Sequence, residues 1–237
     1  MKLANQTVLV IGGSSGMGLA IARLALNEGA KIIISARSRE KLQQAAKSLG
    51  GSVRAIPVDT TDEESIKALF TEAGPINHLL IPGSALRLGN WREQPVADIQ
   101  FSLQGKFIGP FLCARSAHFG TGSSLTFWSG IISRKPARND ALLAAVNAAV
   151  EAMTRALAKD LAPVRVTCIS PGMVEGTGAY EAMPEESRRQ MYEGIAARLP
   201  VGRVGTAEDI ATLAIEVITN GFITGTVIDV DGGGMVA

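Results

Sequence analysis

The chain has 237 residues, 46% of them hydrophobic and 19% charged, with 26 Gly and only 5% aromatics. That length suits a large α/β domain with a sizeable core, and 23 basic against 22 acidic residues, a net charge of +1, leaves no excess to drive binding to nucleic acid. Two cysteines, Cys113 and Cys168, lack CxxC spacing; they indicate neither a disulfide framework nor a zinc site and fit a reducing, cytoplasmic setting.

The N-terminal run MKLANQTVLVIGG is short and ends in Gly, with no export cleavage pattern after it. No stretch approaches the ~18 consecutive apolar residues of a bilayer span, so the protein is expected to be soluble, with no membrane partner. Short apolar, β-branched runs then alternate with helix-like segments. Strands are predicted at Thr7–Ile11, Lys31–Ser35, Val53–Pro57, His78–Ile81, Ser124–Trp128, Arg165–Ser170 and Thr226–Val230. Several are apolar on consecutive residues, as strands covered on both faces are. Between them, a helix over Gly18–Glu28 stops at Gly29. Thr61-Asp-Glu-Glu64 reads as a capping box opening a helix to about Ala73, and Thr206-Ala-Glu-Asp209 opens another to about Thr219. The segment Ala141–Leu161 is long, Ala-rich and apolar around much of its circumference near its start; such a helix is buried against the sheet and against a second subunit. Strand–helix alternation with no linker predicts one α/β domain over residues 1–237, a doubly wound parallel sheet with helices on both faces.

The first strand runs directly into Gly12-Gly13-Ser14-Ser15-Gly16-Met17-Gly18 and then a helix. In that context Gly12 permits the turn, Gly16 lets backbone approach a pyrophosphate and Gly18 allows close helix–strand packing. The helix N-terminus supplies free N–H groups and partial positive charge for the phosphates. The second strand ends Ser35-Ala36-Arg37-Ser38-Arg39. A NAD site places an acid there for the ribose 2′-OH. Ala36 stands in its place and Arg37 follows, flanked by the hydroxyls of Ser35 and Ser38. A guanidinium grips a 2′-phosphate, so the expected cofactor is NADP(H).

The Gly-x-x-x-Gly-x-Gly spacing resembles the short-chain dehydrogenase/reductase family. The likeness continues at Asp59 after the third strand, at Ser170-Pro171-Gly172 after the sixth and at Asp229-Val-Asp-Gly-Gly233, and so covers essentially the whole chain. The resemblance implies seven parallel strands, with Asp59 and the adjoining Thr60 near the adenine and Pro171-Gly172 near the nicotinamide. Gly83 joins the cofactor set from Ile81-Pro82-Gly83-Ser84, where the family has Asn-Asn-Ala-Gly. It also implies a homodimer or homotetramer and a small-molecule substrate, with residues about 174–200 as the substrate segment.

The family works with a Ser, a Tyr, a Lys four residues later and an Asn on an earlier helix, a general acid–base system with a charge-tuned pKa. Ser129 takes the Ser position. Asn147, in Asn-Ala-Ala-Val-Glu, stands where the Lys belongs, Leu143 where the Tyr belongs and Ser102 where the Asn belongs. Neither Tyr180 nor Tyr192 has a Lys four residues on. Asn147 keeps the capacity to hydrogen-bond ribose hydroxyls. Asp140, three residues before Leu143, and Tyr180, after the sixth strand, are the candidate proton donors. Asp140 is alternatively a helix N-cap and Tyr180 lid packing. The cluster Arg134-Lys135-Pro136-Ala137-Arg138 reads as a solvated loop or as a greeting for an anionic substrate, and His78 and His118 as structural. Three readings stay open: a reductase of C=O, C=N or activated C=C bonds with an atypical active site, a cofactor-binding sensor or oligomer partner without turnover, and a non-redox isomerase or lyase.

Overall fold

The computed structural model describes residues 1–237 apart from Ser84, Leu88, Gly178, Ala179, Glu181 and Ala182. Ser84, the end of the Ile81–Ser84 turn, and four residues of the expected substrate segment 174–200 therefore lie outside the described residues. The strands are β1 (Thr7–Ile11), β2 (Lys31–Ala36), β3 (Arg54–Pro57), β4 (Ile76–Ile81), β5 (Phe119–Trp128), β6 (Arg165–Pro171) and β7 (Thr226–Val230). All pair in parallel in the order β3-β2-β1-β4-β5-β6-β7. The order reverses between β1 and β4, where the carboxyl ends of such strands open a ligand crevice. The upstream part of β5 escapes the sequence pattern because residues 120–122 are exposed and carry no apolar signal.

Consecutive apolar residues in the strands feed two cores. Val8 and Val10 pack with α1 (Gly16–Asn27), α2 (Arg39–Leu49) and α8 (Ala207–Thr219). Leu9 and Ile11 pack with α3 (Glu63–Ala73), α5 (Gly109–Ser116) and α6 (Ala141–Asp160). By length and composition α6 is apolar enough to cross a membrane, which a count of consecutive apolar residues does not register; 33% of that stretch is buried in the fold. Val146, Asn147, Val150, Glu151 and Thr154 form its buried face, and it packs against β6.

The start of α3 departs from the expected capping box. Thr61 is held by Asp59, whose Oδ1 accepts its hydroxyl at 2.8 Å and its N–H at 2.9 Å. The N-cap is Asp62, which accepts from the Glu64 N–H at 3.0 Å. At α8 the Thr206–Asp209 capping box is present as expected.

After β4 one helix runs through α4 (Val96–Leu103), a π-helical turn (Gln104–Ile108) and α5. Pro110 explains the turn. It lacks an N–H, and its ring crowds the carbonyl four residues back, that of Lys106. The Gly109 N–H bonds instead to the Gln104 carbonyl, five residues back. Two glycines seat the turn. A Cβ on Gly105 would stand 2.5 Å from the Cβ of Ala85, and one on Gly109 2.3 Å from the Thr60 carbonyl oxygen. The turn is thus pressed against the chain that follows β3 and β4. A short 3-10 turn covers Ile131–Ser133, and α7 spans Glu185–Ala196.

Candidate active site

The turn after β1 is made of backbone. Gly12 has φ +91, and a Cβ there would lie 2.6 Å from the Cα of Gly83, so the turns after β1 and β4 touch main chain to main chain. A Cβ on Gly18 would stand 2.1 Å from the Gly12 carbonyl oxygen. Gly16 differs: its nearest neighbour would be a Gly176 carbonyl oxygen at 3.4 Å, which leaves its backbone bare. The N-cap of α1, Ser15, makes no side-chain cap, and the first turn holds no acidic residue. The partial positive charge and N–H groups around Ser14, Ser15, Gly16 and Met17 remain for an anion, and a pyrophosphate fits this cradle.

At the end of β2, Arg37 is exposed and Ser38 caps α2 by accepting the Lys41 N–H at 3.2 Å. Arg37 and Arg39 line a cavity of 420 Å³ together with Pro57, Val58 and Asp59. Ser35 leaves the expected set. It is fully buried, and its hydroxyl donates to the Ile56 carbonyl of β3. That bond braces β2 to β3 and leaves the buried hydroxyl no ligand to face.

Ser129 follows β5 at once, and its N–H bonds to the Ile169 carbonyl at 2.9 Å. Its buried Oγ donates to Glu151 Oε1 at 3.0 Å, and Ser133 Oγ donates to the same oxygen at 2.6 Å. Arg134 Nε lies 3.8 Å from Glu151 Oε2. The same guanidinium donates to Ser170 Oγ at 3.0 Å and to Asp229 at 2.9 Å, and it holds the Asp229 carboxyl below the usual carboxylate range. Arg134 is therefore a clip between the segment after β5 and β7, while the loop Arg134–Arg138 that carries it is exposed, as a solvated loop is. Asn147 shares a face of α6 with Glu151, four residues on. It is 2% exposed, and its Oδ1 is buried without a donor. Its Nδ2 lies 3.2 Å from where a Cβ of Gly130 would stand. Leu143, half-buried one turn earlier, gives that face no proton to move. Ser102 accepts the Arg87 N–H at 3.0 Å and donates to the Arg87 carbonyl at 3.2 Å, fastening the segment after β4 to α4.

Pro171 ends β6, and Gly172 presses on Asp231, whose Cα would be 2.9 Å from a Cβ there. Of the two candidate donors, Asp140 is near enough to act on the Tyr180 phenol. Tyr180 stands edge-on to Tyr192 with 6.5 Å between centroids. Burial first, and then Tyr192 and Asp140, push its phenol up, so it keeps its proton at neutral pH. Asp140 holds the N-cap position of α6, but its carboxylate turns back to accept the Ala137 N–H at 2.8 Å. His78 is buried between Ser124 Oγ at 2.7 Å and Gln6 Oε1 at 2.6 Å, a structural role as expected.

Two residues in this region escape sequence reading. Glu151 is the acceptor on which Ser129 and Ser133 converge. Lys106, 7% exposed on the π-helical turn, reaches the Trp128 carbonyl at 3.4 Å. Their signal is the same: a single charge in an apolar helical stretch, Lys106 before Phe-Ile-Gly-Pro-Phe-Leu-Cys113 and Glu151 within Ala-Ala-Val-Glu-Ala-Met.

A family model described as enoyl-(acyl carrier protein) reductase matches residues 12–234. A relative named short-chain dehydrogenase/reductase ATR9, from Stachybotrys chlorohalonatus, is 31% identical over 252 residues, covering 98% of this chain and 97% of the relative. Among solved structures, a small-chain dehydrogenase in complex with NADPH is 35% identical with a TM-score of 0.82, covering 98% of this chain and 100% of that one. The MalC reductase/Diels-Alderase of Malbranchea aurantiaca is 25% identical with a TM-score of 0.93, covering 100% of this chain and 98% of its own.

Proposed function

The chain belongs to the short-chain dehydrogenase/reductase family, and we propose that it is an NADP(H)-dependent reductase with an atypical active site, acting on a small molecule with a C=O, C=N or activated C=C bond. The end of β2 carries the reading: Ala36 replaces the acid of a NAD site, and exposed Arg37 lines the cavity beside Asp59. The NADPH complex of a 35% identical dehydrogenase supports it. The cradle of Ser14, Ser15, Gly16 and Met17 would hold the pyrophosphate, Arg37 and Ser38 the 2′-phosphate, Asp59 and Thr60 the adenine, and Gly83, Asn147, Pro171 and Gly172 the nicotinamide end. When bound, the cofactor supplies the hydride.

The chain's own groups then decide which bond accepts it. Ser129 has one hydroxyl proton, and Glu151 receives it. Polarising a carbonyl with that proton means uncovering a buried carboxylate, which is costly. An iminium needs no such acid. Among the three acceptor types the site therefore favours C=N. For a substrate that needs a proton, Tyr180 is the candidate donor, although burial makes its phenol a weaker acid.

NADPH absorbance recorded with a panel of imines, enones and ketones tests this, and oxidation is expected in that order of preference. Tight NADPH binding without oxidation by any of them would turn the reading to a sensor, and turnover without net NADPH change to an isomerase or lyase. The half-exposed Leu103, Ile108 and Phe111 on the helix after β4 support a homodimer or homotetramer, which light scattering measures. The buried, unpaired Cys113 and Cys168 suit a cytoplasmic home.

A further inference from the structure

Lys106 is buried, and among the described residues no carboxylate lies within salt-bridge distance of it. One acceptor, the Trp128 carbonyl at 3.4 Å, serves an ammonium with three N–H groups. A buried charge so poorly served costs stability, and burial pushes the ammonium down to about 8. The buried titratable groups on the elements around it give little relief. Cys113 on α5 is pushed up to about 12 and Cys168 on β6 to about 11, both by burial, so both are neutral thiols. Glu151 on α6 is already engaged by Ser129 and Ser133.

Asn147 presents the opposite deficit. Its Oδ1 is buried and accepts from nothing. Both side chains abut one stretch of backbone: Lys106 reaches the carbonyl of residue 128, and the Asn147 amide lies against Gly130. Spare donors and a spare acceptor on one floor, next to Ser129, are the complement of a vicinal diol. One oxygen of a diol accepts from the ammonium, and a hydroxyl hydrogen is donated to Oδ1.

We propose that Lys106 supplies, from the helix after β4, the ammonium that the family carries on α6, and that Lys106 and Asn147 together grip a vicinal diol, the ribose next to the nicotinamide. The assignment rests on the reading that the chain binds NADP(H). The seat of Lys106 is enforced by Pro110, Gly105 and Gly109, which fix the turn that carries it.

Calorimetry with NADPH and with adenosine 2′,5′-bisphosphate, a fragment that keeps the adenosine end and lacks the nicotinamide ribose, separates the two claims. Failure of the fragment to bind wild type defeats the NADP(H) reading itself. If it binds, Lys106→Met is expected to weaken NADPH by about tenfold or more, leave the fragment within twofold and raise the melting temperature, since a poorly partnered charge is removed. Equal affinities for NADPH in variant and wild type overturn the proposal, as does a lowered melting temperature with both ligands weakened, the mark of a merely structural lysine. Adding Asn147→Lys to Lys106→Met is expected to restore NADPH affinity to within a few fold; a double variant as weak as the single one overturns the shared floor. Wild type provides a check that needs no variant. Between about pH 7 and pH 10 NADPH affinity relative to the fragment is expected to fall as the ammonium loses its charge, and a flat ratio overturns the proposal.

Discussion

The two sides of the crevice are made of different material. On the β1–β2–β3 side the proposed phosphate cradle is backbone, an uncapped helix start and a turn that touches its neighbour main chain to main chain, with the Arg37 side chain added at the end of β2. On the β4–β5–β6 side the material is side chains: Asn147, Lys106 and Glu151 are buried there and Leu143 is half-buried. A backbone site is specified by conformation, so substitution disturbs the fold itself. A side-chain site rests on a scaffold that remains intact when the functional groups change. Conformation defines one half of this crevice, and side-chain chemistry the other.

Substitutions should separate the halves, and the largest effect belongs to the backbone side. Gly18→Ala places a Cβ against the Gly12 carbonyl with no side chain to yield; a loss on the order of 3 kcal/mol or more of unfolding free energy is expected, with NADPH binding lost, by thermal melting and calorimetry. Arg37→Asp comes next. It exchanges charge-assisted bonds for repulsion, and NADPH affinity is expected to fall about 100-fold while stability is unchanged. Unchanged NADPH affinity there would refute the NADP(H) assignment. On the opposite side, Glu151→Gln should leave the NADPH dissociation constant within twofold and lower kcat for an imine by about tenfold, read by steady-state kinetics.

The effect that vanishes at neutral pH lies at the far end of the sheet and appears only in acid. Burial pushes His78 down from 6.5 to about 4, so the native protein keeps it neutral while the unfolded chain protonates. Stability from this residue is complete above about pH 6.5 and is lost as pH falls toward 4, by at most about 3 kcal/mol. His78→Gln should flatten denaturant midpoints across that interval and leave NADPH binding unaltered.

The same division decided what was legible in the sequence. Glycines, strand periodicity and the Thr206 capping box are local signals, and they located all seven strands, the turn after β1 and the start of α8. Thr61 misled because Asp59, two residues away, competes for its hydroxyl and N–H. Ser35 misled because its position in the strand, not its chemistry, turns it toward Ile56. The loss of Tyr and Lys at positions 143 and 147 was readable by spacing. So were Asn147 and Leu143 in their places, but the burial of Lys106 was not, because it lies 41 residues before Asn147 and reaches the Trp128 carbonyl on another element. Arg134 looked like part of a basic loop because its partners, Ser170 and Asp229, belong to distant strands.

The π-helical turn before Pro110 has an evolutionary corollary. It holds one residue more than an α-helical turn, and each added residue rotates everything downstream by about 100°. Ser102 and Lys106 thus belong to a helix whose facing is reset between them by length, not by side-chain identity. A single-residue insertion or deletion there would carry the lysine off the floor while leaving every local motif readable. Relatives aligned without regard to that count will appear to keep or lose this cation at random, and the spacing from residue 102 to Pro110 is the ruler by which to sort them.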